Sequence, residues 1–241
     1  MICKGCDEDK KLIKAHAIPE AFFRGLRDGE NPPRLLTDID GKFAKKAPIG
    51  VYDQTILCRD CENKFQLVDD YAQDLLLKKE CNHLEIKHNG KVIGYRIDNF
   101  NYSLLKSFLI SVLWRASISG QEFYSKVNLG PYESEVKDFI WNGECGRSDQ
   151  YSFVISKFTD TNIGRSILDP HRERWHGVNY YRLYLYGYVV YIKVDKQASP
   201  EILRNFEIHG DGPLFVIGRD IHNSSEYSVM VSVAKKSASI R

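Results

Sequence analysis

The sequence predicts an α+β protein that begins with a small metal-binding unit, continues through a helical middle and ends in an antiparallel sheet. Three observations support this prediction. Two CxxC pairs lie within the first 61 residues, an apolar helix pattern covers residues 103–119, and tyrosine-rich strand patterns recur between residues 151 and 233. With 241 residues, 43% of them hydrophobic, the chain is long enough for one large packed domain or two small ones.

The cysteine pairs are the strongest chemical signal in the chain. Thiolates in two CxxC motifs suit one tetrahedral Zn²⁺ ion, and four protein ligands give that ion a structural role because no position is left for water. The sequence leaves two alternatives open, a redox-active CxxC pair and disulfides. Cys81 and Cys145 have no close partner in sequence, so they are expected to be small core or surface residues. The predicted zinc ligands are Cys3, Cys6, Cys58 and Cys61.

The elements around the cysteines predict a treble-clef-like zinc module over residues 1–80. Pro19 marks the start of a short helix. A stretch with several prolines and glycines predicts a long loop. Apolar residues at helical spacing follow the second cysteine pair. The predicted elements are a strand at 11–16, a helix at 19–26, a loop at 29–50 and a helix from Cys61 to about Lys79.

The rest of the chain divides into a hairpin and helical region over 81–145 and a strand-rich region over 146–241. Asn89-Gly90 predicts a two-residue turn. The 103–119 helix is expected to bury one stripe formed by Leu105, Leu109, Val112, Leu113 and Ala116. The further predicted elements are a hairpin at 84–97, a helix from Gly130-Pro131 to Asn142-Gly143, and strands at 151–158, 180–193, 214–217 and 227–233.

Charge and hydropathy limit the classes of partner. The formal net charge is +2, and basic and acidic residues nearly balance in residues 1–80, which does not favour a strong standalone DNA-binding face. No apolar run approaches the roughly 20 residues that a membrane span needs. Met1-Ile2-Cys3 leads directly into the first cysteine pair without a signal-peptide pattern, so a cytoplasmic location and no membrane partner are expected.

Several stretches together resemble a poorly characterised group of bacterial proteins related to HNH (His-Me finger) endonucleases. They are CKGC, KAHAIPEAFF, ILCRDCENKF with DDYA, and LLKSFLISVLWRASIS with VNLGPYE, and they cover roughly residues 1–140. The resemblance implies a metal-dependent DNA endonuclease, a setting in bacterial anti-phage defence and a possible protein partner there. Two positions depart from the family pattern: Ala15 precedes the histidine, and no histidine follows the second cysteine pair directly.

The resemblance also implies roles for individual residues. His16 would be the general base that deprotonates water for attack on a phosphodiester. Asp53 and Glu62 stand where that family has metal-binding residues, and their oxygens suit Mg²⁺ or Mn²⁺. Asp69 and Asp70 are additional candidates. A structural interpretation of Glu62 stays open, because an acidic residue also stabilises a helix N-terminus.

Other interpretations compete with the nuclease. The alternative is a catalytically inactive, zinc-stabilised adaptor that binds nucleic acid or protein, and Ala15 and the near-neutral charge favour it. Arg115 lies within an apolar helix, so it is expected to pair with a carboxylate of the zinc module, with a phosphate contact as the alternative. Residues 171–176 are expected to be an exposed connector, with a nucleic-acid-binding loop as the alternative. A third hypothesis is that residues 146–241 sense a ligand or bind a partner protein, and the sequence assigns no specific residue to this role.

Overall fold

A computed structural model describes residues 1–27, 29–37, 39, 42, 44–160, 166–210 and 212–238. It is a mixed structure of helices and strands, with a cysteine cluster near the N-terminus and a large sheet that is mostly antiparallel. Among the helices of this described part, none combines the length and the apolar composition needed to cross a bilayer.

The N-terminal part is built from short elements. Strands β1 and β4 pair antiparallel and form a two-stranded ribbon. The predicted strand over 11–16 shrinks to β1, and the predicted loop over 29–50 contains β2 and β3. The helix predicted to reach Lys79 is divided into α2, α3 and a final π-helical turn, Asp74–Lys78. The elements are β1 (Ala15–His16), α1 (Glu20–Arg24), β2 (Arg34–Leu36), β3 (Lys45–Lys46), β4 (Tyr52–Asp53), α2 (Arg59–Asn63) and α3 (Gln66–Gln73).

The middle of the chain contains the predicted hairpin and both predicted helices. Asn89 and Gly90 have φ of 48° and 75°, the left-handed geometry of a tight hairpin turn. Gly143, at φ 70°, ends α5 in the left-handed conformation that glycine adopts without strain. The elements are β5 (Leu84–His88), β6 (Lys91–Ile97), α4 (Tyr102–Ile118) and α5 (Glu133–Asn142).

Helix α4 is the centre of the molecule. Asn101 caps its start by accepting a hydrogen bond from the Leu104 N–H at 2.9 Å. The predicted stripe is buried, but so are residues on the other faces, including Phe108, Ile110 and Trp114. A helix that is apolar all round is a core helix. It packs beside α3 and α5, and Phe108 stacks on Phe22 of α1 with ring centroids 5.6 Å apart.

A seven-stranded sheet contains most strands of the C-terminal half together with the two strands of the middle hairpin. Its strand order is β5-β6-β12-β7-β11-β10-β9, and only the β12–β7 pair is parallel. The sheet therefore contains strands from both sides of the domain boundary predicted near 145. A separate three-stranded sheet joins β3 and β2 to β8. The new strands are β7 (Phe153–Phe158), β8 (Ser166–Leu168), β9 (His171–Trp175), β10 (Val178–Leu185), β11 (Tyr188–Lys193) and β12 (Leu214–Arg219).

Two predictions for this half are wrong. Residues 227–233 were expected as a strand but belong to α7 (Ser225–Ala238), since Val229, Met230 and Val233 pack on the core at helical spacing. Residues 171–175 are strand β9 rather than a connector, because their backbone pairs with β10. The predicted strand over 180–193 is a hairpin that turns at Tyr186-Gly187, and a short helix, α6 (Glu201–Arg204), precedes β12.

Candidate functional site

The four predicted cysteine ligands come together. Their Sγ atoms all lie within 4.8 Å of one another, close to the separation of about 3.8 Å that tetrahedral coordination with 2.3 Å Zn–S bonds requires. Cys3 and Cys6 flank a tight turn, Cys58 caps α2, and Cys61 lies in the first turn of that helix. The cluster can therefore hold one metal ion, as the CxxC spacing predicts.

The surroundings of the cluster favour a thiolate at Cys3, whereas burial raises the pKa of Cys61. Burial raises the pKa of Cys3, but N–H groups of Cys58, Cys6 and Gly5 outweigh it and bring the pKa down to about 7. A side chain at Gly5 would lie 2.8 Å from the Cys61 Sγ atom, so the turn needs glycine there. The cysteines whose side chains are described are free thiols, which favours metal over disulfides; the side chain of Cys81 lies outside the described part.

The cluster fixes the ribbon against helix α2. The Lys4 N–H donates to the Ile56 carbonyl at 2.8 Å, and the Ile13 N–H donates to the Leu57 carbonyl at 3.0 Å. The first bond joins the turn between Cys3 and Cys6 to the segment that follows β4. The second joins the segment that precedes β1 to the same place. His16, the last residue of β1, is therefore held close to the start of α2.

His16 is half-buried, and its ring has a defined hydrogen-bond partner. Its Nε2 atom lies 3.0 Å from the Ile49 carbonyl oxygen, which only accepts hydrogen bonds. We therefore assign the proton of the neutral ring to Nε2, which leaves the Nδ1 lone pair free to accept a proton. Burial lowers the pKa of His16 and favours this neutral form.

Among the predicted carboxylates, Glu62 is hydrogen-bonded to the His16 backbone. Its Oε1 atom accepts a hydrogen bond from the His16 N–H at 3.4 Å. Its Oε2 atom is buried and has no hydrogen-bond partner among the described residues. Burial raises the pKa of Glu62. A buried carboxylate oxygen without a donor is costly, so this atom offers a place for a cation.

Asp53 is not brought to the same place. In the ribbon it lies opposite Ala15, whereas His16 lies opposite Tyr52, so Asp53 and His16 are on opposite faces. Both of its oxygens are occupied by protein donors: the backbone N–H and hydroxyl of Thr55 at 2.8 and 2.6 Å, the Ser119 hydroxyl at 2.9 Å and the Gly120 N–H at 2.8 Å. Burial opposes ionisation, but these donors lower the pKa of Asp53.

Arg115 has the carboxylate partner that the sequence predicts, and that partner is Asp69. The fully buried guanidinium makes two hydrogen bonds to Asp69, at 2.7 and 2.9 Å, and also donates to the His16 carbonyl at 2.9 Å. It stacks 4.4 Å above the centre of the Phe65 ring. The charge of Asp69 is thus balanced by Arg115, while the neighbouring Asp70 is exposed.

A cleft of about 690 Å³ is lined in part by Ile49 and Tyr52, the two residues that contact the His16 ring. The Tyr52 ring lies 5.9 Å from the His16 ring, and His16 itself does not line the cleft. Lys42 and Lys45 also line the cleft. Their partner Glu122 is 77 residues from Lys45 in the chain but 3.0 Å away in space, so no local pattern predicts this contact.

A second group of buried charges anchors α7 and was also missed. Glu226, which is 1% exposed, binds Arg182 at 3.1 Å and Arg219 through both carboxylate oxygens at 3.0 Å. Arg182 and Glu226 are 44 positions apart, so no local pattern could have predicted this pair. The group fixes a helix to the sheet and lies apart from His16.

Comparisons with known proteins assign nothing to these sites. No protein family, no curated protein and no solved structure matches the chain. Function is therefore inferred from the residues and their geometry.

Proposed function

We propose that the protein is a metal-dependent HNH-type endonuclease that hydrolyses phosphodiester bonds of DNA. One observation carries this proposal. His16, which lies between the two cysteine pairs in the sequence, has its Nδ1 atom available. The Glu62 carboxylate accepts a hydrogen bond from the His16 N–H through Oε1, and its Oε2 atom has no partner among the described residues. The anti-phage setting and the protein partner implied by the sequence resemblance belong to this proposal.

The cysteine cluster is proposed to bind Zn²⁺ in a treble-clef-like module. Four thiolates suit zinc, and they leave no open position, so the ion has a structural role. Cys3 and Cys6 precede β1, whereas Cys58 and Cys61 follow β4 at the start of α2. A shared ion would therefore connect the two ends of the segment that contains the ribbon. Zinc binding would contribute directly to the free energy of folding of this part.

His16 would activate the attacking water. Its Nδ1 atom takes a proton from the water while the oxygen forms a bond to phosphorus and the bond from phosphorus to the leaving oxygen breaks. The Nε2–H···O=C bond to Ile49 keeps the ring oriented and remains favourable when the ring becomes cationic. The contact between Arg115 and the His16 carbonyl fixes the backbone of the same residue.

The catalytic divalent cation fits Glu62 and does not fit Asp53. Mg²⁺ commonly binds one or two carboxylates together with waters and substrate phosphates, so a single free carboxylate oxygen is a sufficient protein anchor. When bound, Mg²⁺ or Mn²⁺ would stabilise the negative charge that develops on the phosphate. Asp53 has no oxygen left for this purpose, and its role is to hold Ser119 and Gly120 after α4.

A second candidate is a zinc-stabilised adaptor without catalytic activity. The observations that favour it are Ala15 in place of a ligand, the occupied oxygens of Asp53 and the pairing of Asp69 with Arg115. This candidate predicts one zinc ion and no second cation.

Calorimetric titration of the zinc-loaded protein with Mn²⁺ tests the nuclease proposal against the adaptor. The nuclease predicts one Mn²⁺ site that is lost in Glu62→Gln and kept in Glu85→Gln, a matched substitution of an exposed glutamate on β5. No Mn²⁺ binding by the unaltered protein, in the presence or absence of a DNA oligonucleotide, would contradict the nuclease and favour the adaptor.

A further inference from the structure

We propose that the cleft beside His16 receives a single strand of nucleic acid, and that Glu122 holds the place of one of its phosphates until the strand binds. This inference rests on the proposed phosphodiester chemistry and specifies the form of the substrate.

The cleft leads to the proposed base. Ile49 provides the carbonyl that binds the His16 ring, and Tyr52 is the strand partner of His16 across the ribbon. Both residues line the cleft. His16 itself is not part of the lining, so Ile49 and Tyr52 are the residues that connect a strand in the cleft to the His16 ring.

Two lysines at the cleft converge on one carboxylate. The Lys42 Nζ atom lies 2.6 Å from Oε1 of Glu122, and the Lys45 Nζ atom lies 3.0 Å from Oε2. Hydrogen bonds from Lys42 and Lys45 hold the pKa of Glu122 below its usual range, so the carboxylate is anionic. A phosphodiester likewise shares one negative charge between two oxygens, both of which can accept hydrogen bonds from paired ammonium groups. All three side chains are 43–65% exposed, and exposed ion pairs of this kind exchange at little cost.

The remaining lining indicates unpaired bases. Tyr52 and Phe123 contribute aromatic surface, and the apolar residues Leu35, Ile39 and Val51 extend it. Single strands bind by combining a basic path for the backbone with aromatic rings on which bases stack. A duplex keeps its bases paired inside and presents phosphates and sugars, so it would not use an apolar concave lining.

Asp53 gains a role in this arrangement. It binds the Ser119 hydroxyl and the Gly120 N–H, which directly precede the turn Glu122–Tyr124. The buried carboxylate therefore positions the wall of the cleft that bears Glu122 and Phe123.

Fluorescence polarisation with three labelled 12-nucleotide probes tests this inference. The probes are single-stranded DNA, RNA of the same sequence and the duplex DNA, measured in the His16→Ala background without added Mg²⁺ or Mn²⁺ so that no probe is cleaved. Glu122→Gln is expected to tighten single-strand binding by about 3- to 10-fold because it releases two lysines. Glu85→Gln, which removes the same charge beside Lys87, should change nothing.

The lysines provide the opposite test. The Lys42→Ala/Lys45→Ala double variant is expected to weaken single-strand binding and to reduce the salt dependence of log Kd by about one unit, the value for one lost phosphate contact. Lys87→Ala is the exposed control. A tighter DNA or a tighter RNA complex identifies which strand the cleft prefers, and either supports the inference.

Several results would overturn it. They are equal affinities of Glu122→Gln and Glu85→Gln, binding of the duplex as tightly as of the single strands, and the absence of binding by every variant.

Failure of the nuclease proposal can be distinguished from failure of this inference. If strand binding responds to Glu122 but the unaltered protein cleaves nothing, the binding inference stands and the nuclease proposal fails. If cleavage depends on His16 but binding does not respond to Glu122, the nuclease proposal stands and the binding inference fails.

Discussion

The cysteine-bearing N-terminal part and the C-terminal sheet reach order by different means. Strands in the first part have two or three residues, whereas β10 has eight residues and β11 has six. The sheet is held by a continuous ladder of main-chain bonds and a buried tyrosine-rich layer. The first part also buries apolar side chains such as Phe22 and Phe23, but its main-chain ladders are short, and the four cysteines and the Arg115–Asp69 pair add to them. The proposed chemistry lies in this part.

Metal removal is expected to have the largest effect and to separate the two parts. Stripping zinc with a chelator, or replacing Cys58 by serine, should unfold most of residues 1–65 while the sheet stays ordered. Structural zinc contributes up to about 10–16 kcal/mol in small zinc-dependent folds. Hydrogen exchange followed by mass spectrometry measures both regions at once. The Cys145→Ser variant is the control, and loss of protection in β10 and β11 to the same extent as in the ribbon would contradict the comparison.

Loss of the Arg115 guanidinium is the next largest expected effect. Arg115→Met leaves the Asp69 carboxylate in a mostly buried place without its partner, which typically costs about 3–5 kcal/mol. Urea unfolding of the metal-loaded protein measures this change. The Arg115→Met/Asp69→Leu double variant should recover much of the loss, since it removes the stranded charge as well. Equal destabilisation in the single and double variants would show that the ion pair is not the cause.

A smaller, pH-dependent effect is expected at Lys106, on the side of α4 away from His16. Burial lowers the pKa of Lys106 to about 8, whereas its ordinary value is 10.5. Folding therefore disfavours the ammonium at pH below 8, and this cost disappears as pH rises from 8 towards 10.5. The full cost is about 3 kcal/mol, at about 1.4 kcal/mol for each pKa unit.

Lys106→Met removes that titration. Its free energy of unfolding should exceed that of the unaltered protein most clearly near pH 7, reduced by the lost bond from Lys106 to the Arg147 carbonyl. The difference should shrink between pH 8 and 10. Urea titrations across this range, with Lys87→Met as an exposed control, make the measurement. If the difference in free energy of unfolding between Lys106→Met and the unaltered protein stays constant with pH, the titration of Lys106 is not its cause.

Local sequence patterns predicted the parts that depend on local chemistry. The CxxC spacing identified all four clustered cysteines, Asn89-Gly90 identified the hairpin, and the apolar run identified α4. Helix α7 escaped prediction because its tyrosine and valines also suit a strand. The residue that fixes it, Glu226, finds its arginine partners on β10 and β12.

The candidate site was predicted in part for the same reason. His16 and Glu62 meet because the cysteine pairs place their two segments together. Asp53 lies between His16 and Glu62 in the sequence. Its hydrogen-bond donors Ser119 and Gly120, however, lie 66 and 67 residues further along the chain. No local reading of the sequence reveals that its oxygens are already occupied. The same distance in sequence hid the pairing of Glu122 with the lysines of the cleft.

The most direct test of the central claim is cleavage of plasmid DNA and of a single-stranded oligonucleotide by purified protein with Mn²⁺ or Mg²⁺. His16→Ala is measured beside His88→Ala, a substitution of an exposed histidine on β5, with zinc content confirmed for each. The account predicts cleavage by the unaltered protein and by His88→Ala, and a loss of at least about 100-fold in His16→Ala. Unchanged cleavage in His16→Ala, or no cleavage of either substrate by the unaltered protein, would contradict it.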